Sequence, residues 1–203
     1  MLIPKAIVFD LGNVLLDFDF AMSAANLVSR CQVSVRELQD LLDQTPLLHR
    51  YETGLITSEE FFAEVQRLAG FQGNFAEFGE MFADMFTPIQ PMIRLHGELR
   101  DKGFPVYIFS NTNALAMAYV RRRFPFFSHF DGYVLSFEHG AMKPDPRLYA
   151  VVEEKTGYSG SGLLFLDDRP ENIATAVGRG WQTILQDSPE KTMEAFREAG
   201  IVG

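Results

Sequence analysis

The chain has 203 residues, 47% of them hydrophobic and 22% charged, a balance that suits one globular domain or one domain with an insertion. Its net charge of −9 argues against nucleic acid or an anionic membrane as a partner. The single cysteine, Cys31, cannot form an intrachain disulfide. No secretory signal is visible, and no apolar run approaches the roughly 20 residues that span a bilayer. We therefore expect a cytoplasmic protein, and the sequence leaves its oligomeric state open.

The N-terminal half begins with an apolar, β-prone run over residues 5–10, which predicts a buried strand. Helical patterns follow over residues 21–30, 34–42, 57–69, 75–86 and 91–102. Ser34, with Glu37 three residues later, has the spacing of a capping box. Pro46 is expected to interrupt the helical pattern, and Gly70 to end a helix.

The C-terminal half alternates short apolar strands with helices. Strands are predicted over 106–109, 133–136, 163–166 and 182–185, and helices over 114–122, 146–156, 170–179 and 189–199. This alternation is typical of βαβ units, so we expect a parallel sheet with right-handed crossovers.

The first connection is much longer than a βαβ unit requires. About 95 residues separate the first strand from the second, whereas a whole βαβ unit takes about 30. The surplus of about 60 residues is helical, which predicts a small cap inserted after the first strand. We place the core at residues 1–18 and 88–203 and the cap at 19–87. The alternative is that the inserted helices lie far from the site and do not cover it.

Three predicted strands end in groups that handle phosphate or metal: Asp10, Ser110 and the pair Asp167–Asp168. Ligands of parallel α/β sheets bind beyond the carboxyl ends of the strands, so these groups are expected at one edge. Carboxylates gathered there repel each other unless a cation lies among them. A divalent metal is therefore the first hypothesis, and phosphate chemistry the second.

Each motif also has a structural explanation when taken alone. Asp10-x-Gly12 is an ordinary turn, and residues 110–113 suit a helix cap. Lys143 is followed by Pro144 and Pro146, and a lysine considered alone is most often exposed on the surface. The pair Asp167–Asp168 can stabilise the N-terminus of the helix that follows. The four together, in this order, are far more specific.

At these residues the chain resembles the haloacid dehalogenase superfamily over essentially its whole length. The motifs that carry the resemblance are Phe9-Asp10-Leu11-Gly12-Asn13-Val14, Phe109-Ser110-Asn111-Thr112, Met142-Lys143-Pro144 and Leu166-Asp167-Asp168-Arg169-Pro170-Glu171-Asn172. The segment Gly54-Leu55-Ile56-Thr57-Ser58-Glu59-Glu60-Phe61 is similar to the cap helix of the bacterial α-D-glucose-1-phosphate phosphatase-like subgroup. The resemblance implies an α/β fold, a Rossmann-like three-layer parallel sheet with a small helical cap inserted after strand 1.

The resemblance also implies roles for individual residues. Asp10 would be the nucleophile that forms an aspartyl-phosphate, and Lys143 would steady the phosphoryl group. Phosphate would be bound by Ser110 and Asn111. Mg²⁺ would be held by Asp10, the Gly12 carbonyl and Asp168, with Asp167 beside them. In the cap, Arg50 or His49 is a candidate contact for a sugar hydroxyl or phosphate.

The chain departs from most phosphatases of the superfamily at Gly12. They carry there a second aspartate that protonates the leaving group and then activates water, and glycine can do neither. Asp17 and Asp19 follow shortly after, but their spacing does not show that they reach the site. Asn172 stands where many relatives have a further carboxylate.

The predicted function is Mg²⁺-dependent hydrolysis of a small phosphorylated metabolite, a sugar phosphate above all. One alternative is hydrolytic dehalogenation of a 2-haloacid on the same fold, which needs no metal. The other is a protein that binds a phosphate ligand without turning it over, an option that Gly12 keeps open. The sequence does not name the substrate.

Overall fold

A computed structural model describes residues 2–43 and 45–203 of the chain. The strands are β1 (Ala6–Phe9), β2 (Leu16–Phe18), β3 (Phe86–Pro88), β4 (Val106–Ser110), β5 (Gly132–Leu135), β6 (Leu163–Asp167) and β7 (Gln182–Leu185). The helices are α1 (Phe20–Leu27), α2 (Val35–Leu42), α3 (Pro46–Glu52), α4 (Ser58–Ala69), α5 (Phe75–Ala83), α6 (Gln90–Asp101), α7 (Ala114–Arg123), α8 (Pro146–Thr156), α9 (Pro170–Gly178) and α10 (Pro189–Glu198).

The centre of the molecule is a five-stranded, fully parallel sheet in the order β5-β4-β1-β6-β7. All four residues of β1 are buried, as expected for a strand covered on both faces. Two hydrophobic clusters cover the sheet, one containing Ile7 and Phe9 and the other Ala6 and Val8. The predicted α/β fold with a three-layer parallel sheet is confirmed.

The strand order brings the predicted chemistry together. β1 is hydrogen-bonded to β4 on one side and to β6 on the other, with Phe9 opposite Ile108 and Leu166. Because the strands are parallel, their carboxyl ends lie side by side at one edge of the sheet.

Helices α1 to α5 lie between β2 and β3 and have a hydrophobic cluster of their own. Phenylalanine rings form much of this cluster, with Phe78 and Phe82 stacked 5.6 Å apart and Phe61 tilted against both. Each such ring buries a large apolar area, which helps to hold a small helical unit together. In the part of the chain that the structure describes, no helix has the length and apolar character needed to cross a membrane.

A two-stranded antiparallel sheet joins the ends of this helical segment, with Phe18 paired to Phe86 and Leu16 to Pro88. The sequence pattern predicted a helix through residue 86, and this was wrong because α5 ends at Ala83. The apolar residue Phe86 fits a helical repeat equally well, but its pairing partner on β2 lies far away in sequence. Tertiary pairing therefore overrides the local pattern.

Helix α3 begins where the sequence predicted an interruption. Pro46 occupies the first turn, where its missing N–H costs nothing, and the Thr45 hydroxyl accepts a hydrogen bond from Leu48 N at 3.1 Å. The expected capping box of Ser34 and Glu37 on α2 is present, and Gly70 ends α4 in the left-handed conformation, as predicted.

The turn after α3 packs tightly against the sheet end of the molecule. Gly54 has φ 75°, and a Cβ atom there would lie 2.1 Å from the carbonyl oxygen of Phe137. Gly54 is therefore required both by its backbone conformation and by the close approach of another chain segment.

We expect Gly54→Ala to destabilise the protein more than Gly103→Ala. Gly103 also has positive φ (82°), but no atom of the described residues lies within 4 Å of the place its Cβ would take. The control should lose about 1–2 kcal/mol of unfolding free energy from its conformation alone. Gly54→Ala should lose about 1–3 kcal/mol more, since the Phe137 backbone must move. Urea denaturation measures the unfolding free energy of both variants. Equal losses would show that the Phe137 backbone moves away from the new Cβ without cost.

Candidate active site

Asp10 lies directly after β1, and its side chain faces a cavity at the edge of the sheet. Its backbone N–H donates to Leu166 O at 2.8 Å, which continues the pairing of β1 with β6 and fixes the main chain. Its Oδ1 accepts from Leu11 N at 2.7 Å and lies 2.8 Å from Lys143 Nζ. Its Oδ2 accepts no hydrogen bond from residues 2–43 and 45–203, so one carboxylate oxygen is held and the other is available.

The Lys143 ammonium is surrounded by three oxygen atoms of the protein. Its ammonium lies 2.6 Å from Asp167 Oδ2 and 2.8 Å from Asp10 Oδ1, and donates to Phe109 O at 2.9 Å. The side chain is 1% exposed. Burial alone would lower the pKa of Lys143, but the charges of Asp10 and Asp167 raise it overall, so the ammonium stays charged.

Asp167 is fully buried and its oxygens are occupied. Oδ1 accepts from Arg169 N at 2.8 Å and from Asn172 Nδ2 at 2.9 Å. Oδ2 accepts from Lys143 and from the same Asn172 nitrogen at 3.0 Å. This set of bonds makes Asp167 the anchor that positions the Lys143 ammonium.

Asp168 is only partly buried, and its Oδ2 accepts from Asn13 Nδ2 at 3.0 Å. One oxygen each of Asp10, Asp167 and Asp168 lies within 4.8 Å of the others. The buried Oδ1 of Asn172 has no partner among the described residues, and Asn172 lines the same cavity. Oxygen atoms gathered in this way suit a hard divalent cation, which prefers carboxylates, carbonyls and water.

The electrostatics of Asp10 favour a cation as well. The pKa of Asp10 is raised to about 8, chiefly by burial; Lys143 opposes the rise, and the charges of Asp167 and Asp168 add to it. A carboxylate must be ionised to act as a nucleophile. A positive charge added beside these oxygens lowers that pKa, because it favours the charged form.

Ser110 and Asn111 lie beside this cluster at the end of β4. The Ser110 hydroxyl is buried and makes only a 3.3 Å bond to Asn111 O among the described residues, so it has capacity for another partner. The Asn111 carboxamide is engaged with the backbone of Lys143: its Oδ1 accepts from Lys143 N at 2.7 Å, and its Nδ2 donates to Lys143 O at 2.9 Å. Asn111 therefore holds the Lys143 segment against β4.

The cavity in front of Asp10 has a volume of about 310 Å³, within the range of small-molecule sites. Its polar lining includes Asp10, Lys143, Asp168 and Asn172, and its apolar lining includes Phe18, Phe20 and Leu48. Gly12 also lies on its wall, where a Cβ would be 2.7 Å from Cε1 of Phe18. The Phe18 ring thus occupies the space that a side chain at position 12 would need.

The structure brings Asp10, Gly12, Asn111, Lys143 and Asp168 to this cavity. Asp167 does not line the cavity but holds the Lys143 ammonium, and Ser110 lines an adjoining small cleft. Arg50 and His49 are exposed on α3 and are not among the residues that line the cavity.

Neither candidate for the missing acid or base lines the cavity. Asp17 is exposed on β2, and Asp19 caps α1 by accepting from Ala21 N at 2.8 Å. Sequence reasoning missed Glu52, which lines both the cavity and the adjoining cleft. Its signal was the helical repeat: Glu52 is four residues after Leu48, which places both on one face of a helix.

Comparison with known proteins identifies the family. A model of the haloacid dehalogenase-like hydrolases matches residues 4–178. The chain belongs to this family. The family resemblance inferred from the four motifs is therefore confirmed.

The chain is similar over its full length to phosphatases. It is 27% identical over 200 residues to a sesquiterpene phosphatase of Aspergillus oryzae, with 97% of each protein covered. It is 26% identical over 206 residues to a D-ribitol-5-phosphate phosphatase of Bacteroides thetaiotaomicron, with 98% of each covered. These relatives identify the chain as a hydrolase of the phosphatase type.

A crystal structure of a HAD family enzyme of Bacteroides thetaiotaomicron, in complex with magnesium, has the same fold. The TM-score is 0.81 at 24% identity, with 96% of this chain and 98% of that chain covered.

Replacing Lys143 by methionine should destabilise the protein strongly. The change leaves the buried carboxylates of Asp10 and Asp167 without their cation, and breaking a buried ion pair in this way costs about 3–5 kcal/mol. Lys102→Met is the control, because Lys102 is exposed at the end of α6; it should lose less than about 1 kcal/mol. Urea denaturation in EDTA measures both, and a Lys143→Met protein as stable as the control contradicts the ion-pair network.

Proposed function

We propose that the chain is a Mg²⁺-dependent phosphatase that hydrolyses a small phosphorylated metabolite through an aspartyl-phosphate on Asp10. The observation that carries this proposal is the asymmetric environment of the Asp10 carboxylate. One of its oxygens is fixed by Leu11 N and Lys143, and the other is free, among the described residues, at a cavity lined by Asp168.

The residues present fit Mg²⁺. Asp10 and Asp168 each offer a carboxylate oxygen within 4.8 Å of the other, and Gly12 lines the same cavity. Three carboxylates and one ammonium leave two negative charges here, which one divalent cation neutralises. We propose Asp10, Asp168 and the Gly12 carbonyl as the ligands, with Asp167 beside them as the anchor of Lys143. Bound Mg²⁺ would supply charge neutralisation for the phosphoryl oxygens and the nucleophile.

The roles of the chain's own residues follow from their contacts. The free oxygen of Asp10 attacks phosphorus, the bond from phosphorus to the leaving oxygen breaks, and water later cleaves the aspartyl-phosphate. Lys143 keeps a positive charge fixed next to the attacking carboxylate, which stabilises charge on the transferring group. The Ser110 hydroxyl turns from its long contact with Asn111 O to donate a hydrogen bond to a phosphoryl oxygen, and Asn111 keeps the Lys143 segment in place.

The cavity favours a small substrate with both polar and apolar character. Phe18, Phe20 and Leu48 line the same cavity as the charged residues. We propose that residues 19–87 form a cap over the site, since Phe20, Leu48 and Glu52 of this segment line the cavity. A sugar or polyol phosphate is the proposed substrate class, in keeping with the ribitol-5-phosphate phosphatase among the similar proteins.

Asp10→Asn should abolish phosphate release, because the amide is neither a nucleophile nor a good metal ligand. EDTA should abolish release by the parent, and added Mg²⁺ should restore it. Asp17→Asn is the matched control, since Asp17 is exposed and absent from the cavity lining. Its turnover of p-nitrophenyl phosphate should equal the parent's within about twofold, by analogy with remote surface changes. Equal turnover by Asp10→Asn would falsify the nucleophile assignment.

The substrate class is tested by measuring phosphate release from sugar phosphates, polyol phosphates, nucleotides and amino-acid phosphates, with and without Mg²⁺. We expect the highest kcat/KM among the sugar and polyol phosphates. Chloride release from 2-chloropropionate without Mg²⁺ would point instead to a dehalogenase. Thermal stabilisation by phosphate esters without any release of phosphate would point to a binding protein.

A further inference from the structure

We propose that Glu52, at the end of α3, is the general acid and base of the phosphatase, the role that Gly12 cannot fill. This inference rests on the proposed function, since it assigns a residue to the same reaction. Its basis is a juxtaposition: a carboxyl group from the inserted helices lines the cavity that also contains Asp10, Lys143 and Asp168.

The backbone of Glu52 is fixed to the sheet end of the molecule. The Ser136 hydroxyl donates to Glu52 O at 2.6 Å and accepts from Thr112 N at 2.9 Å, so it links α3 to the segment that follows Ser110. The preceding residue, Tyr51, accepts at its hydroxyl from Leu115 N at 3.1 Å. Two adjacent residues of α3 are thus tied to the core, which positions a side chain with the accuracy that proton transfer needs.

The carboxyl group of Glu52 has no ion-pair partner among the described residues. Burial raises its pKa to about 7, and the nearby Asn113 side chain lowers it only in part. The charged groups that share the cavity are Asp10, Lys143, Asp168 and Arg169. The other titratable groups near Glu52 on α3 are His49, Arg50 and Tyr51. A carboxyl that titrates near neutral pH can both give and take a proton during one catalytic cycle.

The cycle balances with Glu52 in this role. In the first half, Asp10 bonds to phosphorus while the leaving oxygen departs and takes the proton of neutral Glu52, releasing an alcohol. In the second half, ionised Glu52 takes a proton from water, whose oxygen bonds to phosphorus as the bond to Asp10 breaks. Phosphate leaves, and Asp10 is again a carboxylate and Glu52 again neutral.

Glu52→Gln tests the assignment, because glutamine keeps the size of the side chain and cannot transfer the proton. With p-nitrophenyl phosphate, whose leaving group needs no proton, the variant should release a burst of nitrophenol close to one per active site. Steady turnover should then be about 10²–10⁴-fold slower than in the parent, because water is no longer activated. The burst also shows that the variant is folded and that Asp10 still reacts.

Leaving-group dependence provides the second measurement. Across p-nitrophenyl, phenyl and benzyl phosphate, the single-turnover rate should fall more steeply for Glu52→Gln than for the parent, since poorer leaving groups need the acid more. The alkaline decline of the parent's kcat/KM near pH 7, where Glu52 loses its proton, should be missing from the variant. Glu52→Asp should recover part of the turnover.

Glu59→Gln is the matched control, as Glu59 is exposed on α4 and outside the cavity; it should behave as the parent in all three measurements. If Glu52→Gln shows no burst and an unchanged leaving-group slope, or turns over like the parent, the assignment is overturned while the phosphatase proposal stands. If the parent itself releases no phosphate from any ester, the proposed function fails and the role of Glu52 fails with it.

Discussion

The buried ammonium of Lys143, held between Asp10 and Asp167, is the interaction on which the site depends. A charged group in the interior is tolerated only when it is paired and hydrogen-bonded, and here the ammonium has two carboxylate partners and a hydrogen bond to Phe109 O. In return, the ammonium allows two carboxylates to lie at the ends of neighbouring buried strands. The remaining negative charge, carried with Asp168, gives the edge of the sheet its affinity for a cation in the proposed mechanism.

Much of this arrangement is already predictable from sequence. Buried parallel strands appear as short apolar runs, and the polar residue that ends such a run lies at the ligand-binding edge by topology alone. Asp10, Ser110 and Asp167 were found in this way. The hydrogen bonds between Asn111 and the backbone of Lys143 could not be predicted from the sequence. A carboxamide that binds a residue 32 positions away leaves no periodic pattern.

The parts that sequence did not predict depend on contacts between distant segments. β3 is a strand only because Phe86 meets Phe18, and the local pattern of Phe75–Ala83 continues smoothly into it. Helix α3 is seven residues long, so the spacing of Leu48 and Glu52 shows that they share a face but not what that face contacts. Since Glu52 lies on this short helix, its place at the cavity depended on how the whole insert packs.

The glycine at position 12, the Phe18 ring and the glutamate at position 52 line the same cavity. The Phe18 ring fills the space where a side chain at position 12 would point, so an acid placed there would displace the apolar wall of the cavity. In the proposed reaction, an acid supplied from α3 avoids this conflict, because it comes from the insert and leaves the Phe18 ring in the cavity wall. Proton transfer by Glu52 would then depend on how the inserted helices pack on the core, because the Ser136 hydroxyl of the core is hydrogen-bonded to Glu52 O. In this arrangement Phe20 and Leu48, which would contact the leaving group, belong to the same inserted segment as Glu52, which would protonate it. A substrate that packs poorly against Phe20 and Leu48 would therefore also be poorly positioned to receive the proton of Glu52.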